Sequence, residues 1–302
     1  MTKISTMLGT IVVATDFSAN ARLACAWAEK LAQQHDAKVV LVHGFTTAPG
    51  NAPALVQLPQ AYHDDIRARL TSQLDDEAKI VRRSGVTVHC ELVAGGAADV
   101  VTAVAAKYGA DIIVAGTRGR TGLTRLFLGS TAARLMAIAR CPVLTVRPTD
   151  AGSPRMVRCV LVPIDFSADA AAAAETATRI LGGPVTGRRI VLLHAYQVPY
   201  EATYLPAPIL EDAIAAADAK AKGLIEERAA DLRATGIQID TVCCEGDPAQ
   251  AILDYAKSMN ADLIAMGTHG CSELRRLFVG SIAERVVASA PCPVLTVGRG
   301  SA

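Results

Sequence analysis

A chain that repeats itself at half its own length has few ways to fold, and this one does so. Gly116-Thr117-Arg118-Gly119 returns as Gly267-Thr268-His269-Gly270, and Gly129-Ser130 returns as Gly280-Ser281. Cys141-Pro142-Val143-Leu144-Thr145-Val146 returns as Cys292-Pro293-Val294-Leu295-Thr296-Val297. Each offset is 151 (267 − 116, 280 − 129, 292 − 141) in a chain of 302 residues. Asp16-Phe17-Ser18-Ala19 returns as Asp165-Phe166-Ser167-Ala168 at 149 (165 − 16), so the second copy has gained residues after its first motif. Self-similarity at this period means two like domains, which a length of roughly 150 residues per domain also suggests. The expected bounds are 1–148 and 157–302. The turn-rich, aperiodic stretch between them, 149–156 with Gly152-Ser153-Pro154, reads as a linker.

Within each copy, short apolar runs alternate with helical patterns. The first reads as strands at Thr10 to Ala14, Val39 to Val42, Val86 to Val93, Ile112 to Val114 and Val143 to Val146. Helices are expected at about Ser18 to Gln34, where Leu23, Trp27 and Leu31 recur at i, i+4, i+8, then at Gln60 to Ser84, Asp99 to Lys107 and Ser130 to Ala139. The second copy follows the same order. Continuously apolar strands separated by helices are what a parallel sheet covered on both faces requires. The expected fold class is therefore α/β: two repeated doubly wound domains, each with a five-stranded parallel sheet. Ligands of such sheets bind beyond the carboxyl ends of the strands, where the strand order reverses.

The residues that follow the strands are suggestive. After the fourth strand stand Gly116, Gly119 and, nine residues later, Gly129-Ser130; the second copy has Gly267, Gly270 and Gly280-Ser281. Glycines let a main chain approach a ligand, and the amides that open a helix have no intrahelical partner. Strand, glycine loop and helix N-terminus together make an anion site suited to phosphate. The plainer reading makes Ser130 and Ser281 helix N-caps and the glycines turn formers. Asp16 and Asp165 end the first strands, and a carboxylate can accept from the two hydroxyls of a ribose. Each could instead cap the next helix, but Ser18 and Ser167 are better placed for that.

The spelling G-x2-G-x9-G-S, with an aspartate after the first strand and C-P-V opening the last, resembles the universal stress protein (UspA-like) family, here in tandem. The resemblance implies the adenine nucleotide α-hydrolase-like fold, with strand order 3-2-1-4-5, and ATP as ligand, with or without magnesium. It implies ribose binding by Asp16 and Asp165. Phosphate binding would fall to Gly116, Gly119, Gly129 and Ser130, and to Gly267, Gly270, Gly280 and Ser281. Backbone at Ala14, His43, Gly44 and Ala115 would flank adenine in the first copy, and Pro163, His194, Ala195 and Met266 in the second.

The copies are not identical. Thr15 is matched by Ile164, and Gly95-Gly96-Ala97-Ala98 by Gly246-Asp247-Pro248-Ala249, which adds an N-cap and a proline at the first helical position. Sites of unequal affinity are expected. Neither glycine loop holds the lysine of a P-loop, since Leu128 precedes Gly129 and Val279 precedes Gly280. Asp111 and Asp262 start the fourth strands, at the wrong end of the sheet for a metal ligand. His43 and His194 end the second strands, where packing or hydrogen bonding is the commoner role. The expectation is a stress-response protein that binds nucleotide without fast turnover, a regulator or protective factor. A slow ATPase or adenylate-handling enzyme and a nucleotide-free interaction scaffold are the alternatives.

With 30 basic and 29 acidic residues, nothing in the charge favours a nucleic acid or an anionic membrane as partner. No apolar run approaches the roughly 20 residues of a membrane span, and Met1-Thr2-Lys3-Ile4-Ser5 does not read as a secretion signal. The eight cysteines are scattered without a C-x-x-C pair, which suits reduced thiols and a cytoplasmic protein. A regulatory protein is an expected partner. Val143–Val146 and Val294–Val297, edge strands under the implied order, would pair to make an internal pseudo-dimer, leaving a further homodimer open.

Overall fold

The computed structural model describes residues 7–46, 60–117, 128–147, 154–198, 204, 206–269 and 280–298. Apart from Met7 and 154–156, these fall into two compact units, one within 8–148 and one within 157–302.

The first unit runs β1 (Thr10–Ala14), α1 (Ala19–His35), β2 (Lys38–Phe45), α2 (Gln60–Arg82), β3 (Val88–Ala94), α3 (Ala97–Tyr108), β4 (Ile112–Gly116), α4 (Ser130–Ile138) and β5 (Val143–Val146). Its strands are parallel in the order β3-β2-β1-β4-β5. The second unit runs β6 (Cys159–Pro163), α5 (Ala168–Leu181), β7 (Arg189–Tyr196), α6 (Ala207–Arg233), β8 (Gln238–Glu245), α7 (Pro248–Ser258), β9 (Leu263–Gly267), α8 (Ser281–Ser289) and β10 (Val294–Val297). Its order is β8-β7-β6-β9-β10, again 3-2-1-4-5. Both units are the doubly wound sheets that the apolar runs require.

Burial explains the runs. Ile11 to Val13, Val39 to Val42, and Ile113 with Val114 are fully inaccessible, as are Val160 to Val162. Central strands covered on both faces have no side to leave polar. The second strands extend further than their apolar cores, to Phe45 and Tyr196, because β3 and β8 keep pairing beside them: His43 opposite Leu92, His194 opposite Cys243. Sheet pairing overrides the polar residues at these ends.

Both first helices start on a serine. Ser18 Oγ accepts from Ala21 N (3.1 Å) and Ser167 Oγ from Ala170 N (3.2 Å). Small residues then lie against the sheet: Ala21, Ala24, Ala28 and Ala32 in α1, and Ala170, Ala173, Ala174 and Ala177 in α5. The aspartates at the opposite end of the sheet hold main-chain amides. Asp111 Oδ2 accepts from Gly9 N and Thr10 N (2.8 and 3.0 Å), and Asp262 Oδ2 from Arg158 N and Cys159 N (both 2.9 Å). They satisfy the amides that open β1 and β6.

Candidate functional site

In each unit the strand order reverses at the first strand, β1 or β6, which lies between the second and fourth strands, and a crevice opens beyond their carboxyl ends. The first, about 330 Å³, is lined by Ala14, Asp16, Gly44, Ala115, Gly116, Gly129 and Ser130. The second, about 270 Å³, is lined by Pro163, Asp165, Ala195, Met266, Gly267, Gly280 and Ser281. Seven sequence-selected residues thus meet in each. Gly119 and Gly270 lie outside the described residues. His43 and His194 stand apart from the lining. Each ring sends Nδ1 to a main-chain carbonyl, of Thr15 and Ile164 respectively, at 2.7 Å. A carbonyl only accepts, so Nδ1 carries the proton and the imidazole ties the second strand to the end of the first.

The glycines do two different things. Gly116 and Gly267 end the fourth strands where the first helices come closest. A Cβ at 267 would lie 2.8 Å from Asp169 Cβ, and one at 116 would lie 3.1 Å from the Asn20 backbone. Their bareness lets α1 and α5 approach, whatever the crevice holds. Gly129 and Gly280 are the N-cap residues of α4 and α8 and offer no side-chain cap. Ser130 and Ser281 are the first helical residues rather than the caps, which corrects the plainer reading. An N-cap without a side chain leaves first-turn amides to find acceptors elsewhere, at the positive end of a helix dipole.

The aspartates sit on a strained turn. Asp16 Oδ1 accepts from Ser18 N and Asp165 Oδ1 from Ser167 N, both at 3.0 Å, while the serines cap the helices. Between them Phe17 and Phe166 take φ of 64° in both units. A left-handed aromatic residue costs about 1–2 kcal/mol, and such strain collects where a side chain must be aimed. Each ring rests on the nearby histidine, with centroids 4.5 Å (Phe17–His43) and 4.7 Å (Phe166–His194) apart. Neither these phenylalanines nor Thr117 and Thr268 were among the expected site residues; the two threonines line the crevices and accept from Gly129 N and Gly280 N at 2.8 Å through their carbonyls. All four lie inside the repeated motifs, so the repeat itself was the available signal.

Behind the first crevice lies a group with no equivalent in the second. Thr15 Oγ1 accepts from Phe17 N (3.0 Å) and donates to Glu77 Oε2 (2.7 Å). Glu77 is 9% exposed, and its Oε1 is buried without a hydrogen-bond partner among the described residues. Burial pushes its carboxyl above the usual range, against the pull of the Thr15 hydroxyl. Ile164 takes the place of Thr15, and Arg228 that of Glu77 (228 − 77 = 151). The register of that match is fixed by Arg82 and Arg233, which donate to Val88 O and Ile239 O at the same point of each unit.

The thiols of Cys90, Cys159, Cys243 and Cys244 are raised by burial, Cys141 to about 11, and Cys25 further still. Among the described residues no three His, Cys, Asp or Glu side chains gather into a metal-binding group. No described helix is long and apolar enough to cross a membrane.

Fold and crevices together define a tandem doubly wound α/β protein with one ligand-sized opening at the switch point of each sheet. The family model described as "Universal stress protein family" matches residues 7–147 and again 156–298. The chain belongs to the universal stress protein family. A universal stress protein of Mycolicibacterium smegmatis is 28% identical over 295 residues, covering 95% of this chain and 96% of that one. A Thermus aquaticus relative is 38% identical over 144 residues, covering 47% of this chain and 99% of its own. The crystal structure of a universal stress protein from Archaeoglobus fulgidus superposes with a TM-score of 0.70 at 20% identity, covering 98% of this chain and 99% of that one, a likeness of fold.

Proposed function

We propose that each half binds an adenine nucleotide, ATP in the first instance, and that occupancy makes the protein a regulator or protective factor of the stress response. One observation carries this reading: the crevice recurs at matched positions, each with a turn-borne aspartate on one wall and a helix N-terminus without a side-chain cap on the other. Asp16 and Asp165 would accept from the ribose hydroxyls. The first-turn amides of α4 and α8, with the hydroxyls of Ser130 and Ser281, would donate to phosphate. Main chain at Ala14, Gly44 and Ala115, and at Pro163, Ala195 and Met266, would face the base, and magnesium would arrive with the phosphates. Gly119 and Gly270 belong to this set by the family motif alone. A regulatory partner, in the cytoplasm, would read occupancy.

Ligand that binds only the folded form adds about 2.7 kcal/mol at a hundredfold excess over Kd. ATP should therefore raise the melting temperature of the intact chain, and Asp16→Ala/Asp165→Ala should lose most of the shift. Equal shifts in the two proteins would overturn the proposal. A steady-state turnover of about 1 s⁻¹ or faster, within the enzymatic range, would instead establish an ATPase.

A further inference from the structure

The first crevice has a buried acid behind its wall. Glu77, on α2, reaches the crevice through Thr15, which is itself among the lining residues. Thr15 Oγ1 accepts from Phe17 N at 3.0 Å and donates to Glu77 Oε2 at 2.7 Å. The other carboxyl oxygen, Oε1, is buried and has no hydrogen-bond partner among the described residues. The second half makes the same left-handed phenylalanine turn with Ile164 and Arg228 at these places, so the turn itself does not need the acid. What the acid adds to the first half is a titratable group one hydroxyl away from the crevice.

An ionised carboxyl with a buried oxygen left unpaired is costly, and a proton removes that cost. The surroundings of Glu77 pull both ways. Burial and the nearby Asp16 favour the proton, whereas the Thr15 hydroxyl and Arg22 of α1 favour the anion. Cys25 of α1 also faces Glu77, its thiol held neutral by burial. β2 brings His43, bonded to the Thr15 carbonyl, and β3 brings Cys90, whose charged neighbours are Asp75 and Arg82. The hydroxyl between acid and crevice has two arrangements. A carboxylate only accepts, so Thr15 must give its hydrogen to an ionised Glu77. A protonated Glu77 can donate to Thr15 Oγ1, whose second lone pair still serves Phe17 N, and the hydroxyl hydrogen then turns to the crevice.

Resting on the nucleotide reading, we infer that Thr15 and Glu77 form a proton-linked relay in the first crevice: when Glu77 holds a proton, Thr15 donates to a ribose oxygen of the bound nucleotide. Thr15 is the group that meets the ligand, and Glu77 is a positioning residue that acts through it. Binding in the first half therefore takes up a proton, and affinity rises as pH falls. With Ile164 and Arg228 the second half has no such relay.

The test uses the full-length Asp165→Ala chain, in which only the first crevice is intact, titrated calorimetrically with ATP in buffers of different ionisation enthalpy. Glu77→Gln and Thr15→Val are each added to that chain, with Thr15→Ser as the conservative control. The titration of the phosphates, of His43 and of the loop charges is common to all four chains, so the differences between them carry the result. From about pH 7.5 to about pH 5, the affinity of the parent should gain roughly threefold over that of Glu77→Gln, with a matching excess of proton uptake. Thr15→Val, which keeps the acid and removes the hydroxyl, should lose the excess, and Thr15→Ser should keep it. A loss confined to folding would lower affinity at every pH without changing the uptake. A parent that matches Glu77→Gln in pH profile and uptake, or an excess that survives in Thr15→Val, would overturn the inference and leave the nucleotide reading standing. No heat with ATP on the unaltered chain at any pH would remove both.

Discussion

The two halves agree in backbone and differ in what stands behind it. Both hold a left-handed phenylalanine after the site aspartate, a histidine clipped to the first strand, a serine-capped first helix and an aspartate that satisfies the first strand's opening amides. The supports diverge. The first half backs its aspartate turn with the buried Thr15–Glu77 bond, where the second has Ile164 and Arg228. The second caps α7 with Asp247, which accepts from Gln250 N at 2.8 Å, where α3 starts on Gly96 without a side-chain cap. Duplication kept the geometry that aims groups into the crevice. The polar groups beneath it were free to change in sets, because a buried acid can go only together with its donor.

Exchanging residues between the halves tests this. The largest effect is expected from Thr15→Ile, which gives the first half the second's residue and strands Glu77 in the core. A buried acceptor that loses its donor, with added bulk, should cost about 3 kcal/mol. Thr15→Ile/Glu77→Leu should recover most of it. Hydrogen exchange in α1 and α2 gives the local stability, and a double variant no better than the single would show that the bond supports nothing.

Next comes the close approach at the fourth strand. Gly267→Ala should destabilise its unit by about 1–3 kcal/mol, the usual range for overpacking. Gly116→Ala should cost less, its nearest contact being 3.1 Å rather than 2.8 Å. Exchange protection in α5 and α1 should rank them so, and the reverse order would place the tighter contact in the first half.

Smaller effects are expected at the outer helices, where Arg134 pairs with Asp99 and Arg285 with Asp247, each at 2.8 Å and well exposed. Asp99→Ala removes only a surface pair and should cost about 0.5 kcal/mol or less. Asp247→Ala also removes a cap and should cost about 1 kcal/mol. Equal losses on denaturation would mean the cap contributes nothing.

The subtlest difference is in pH. Glu77 is raised by burial, so between its unfolded and folded values the native state holds the extra proton, and stability falls as pH rises through that window. Below the unfolded value, about 4.3 for a glutamate, the penalty is absent. Glu77→Gln should flatten the pH dependence of α2 exchange in the first half and leave the second unchanged. An unaltered profile would show that Glu77 carries no such linkage.

The sequence by itself determined the repeat, the alternation of strand and helix, the serine caps and seven of the residues that line each crevice. All of these rest on short-range chemistry: apolar runs that must be buried, hydroxyls that satisfy helix amides, glycines where backbones approach. Even the wrong end of the sheet for Asp111 and Asp262 was legible, because a parallel strand has only two ends. Only the tertiary structure decided that His43 and His194 serve the sheet, that Gly116 and Gly267 make room for a helix, and that Ser130 and Ser281 follow the cap. It alone brought Glu77 to Thr15, across 62 positions. Such pairings have no local signature, since the donor and the acceptor meet only after the helices have packed on the sheet.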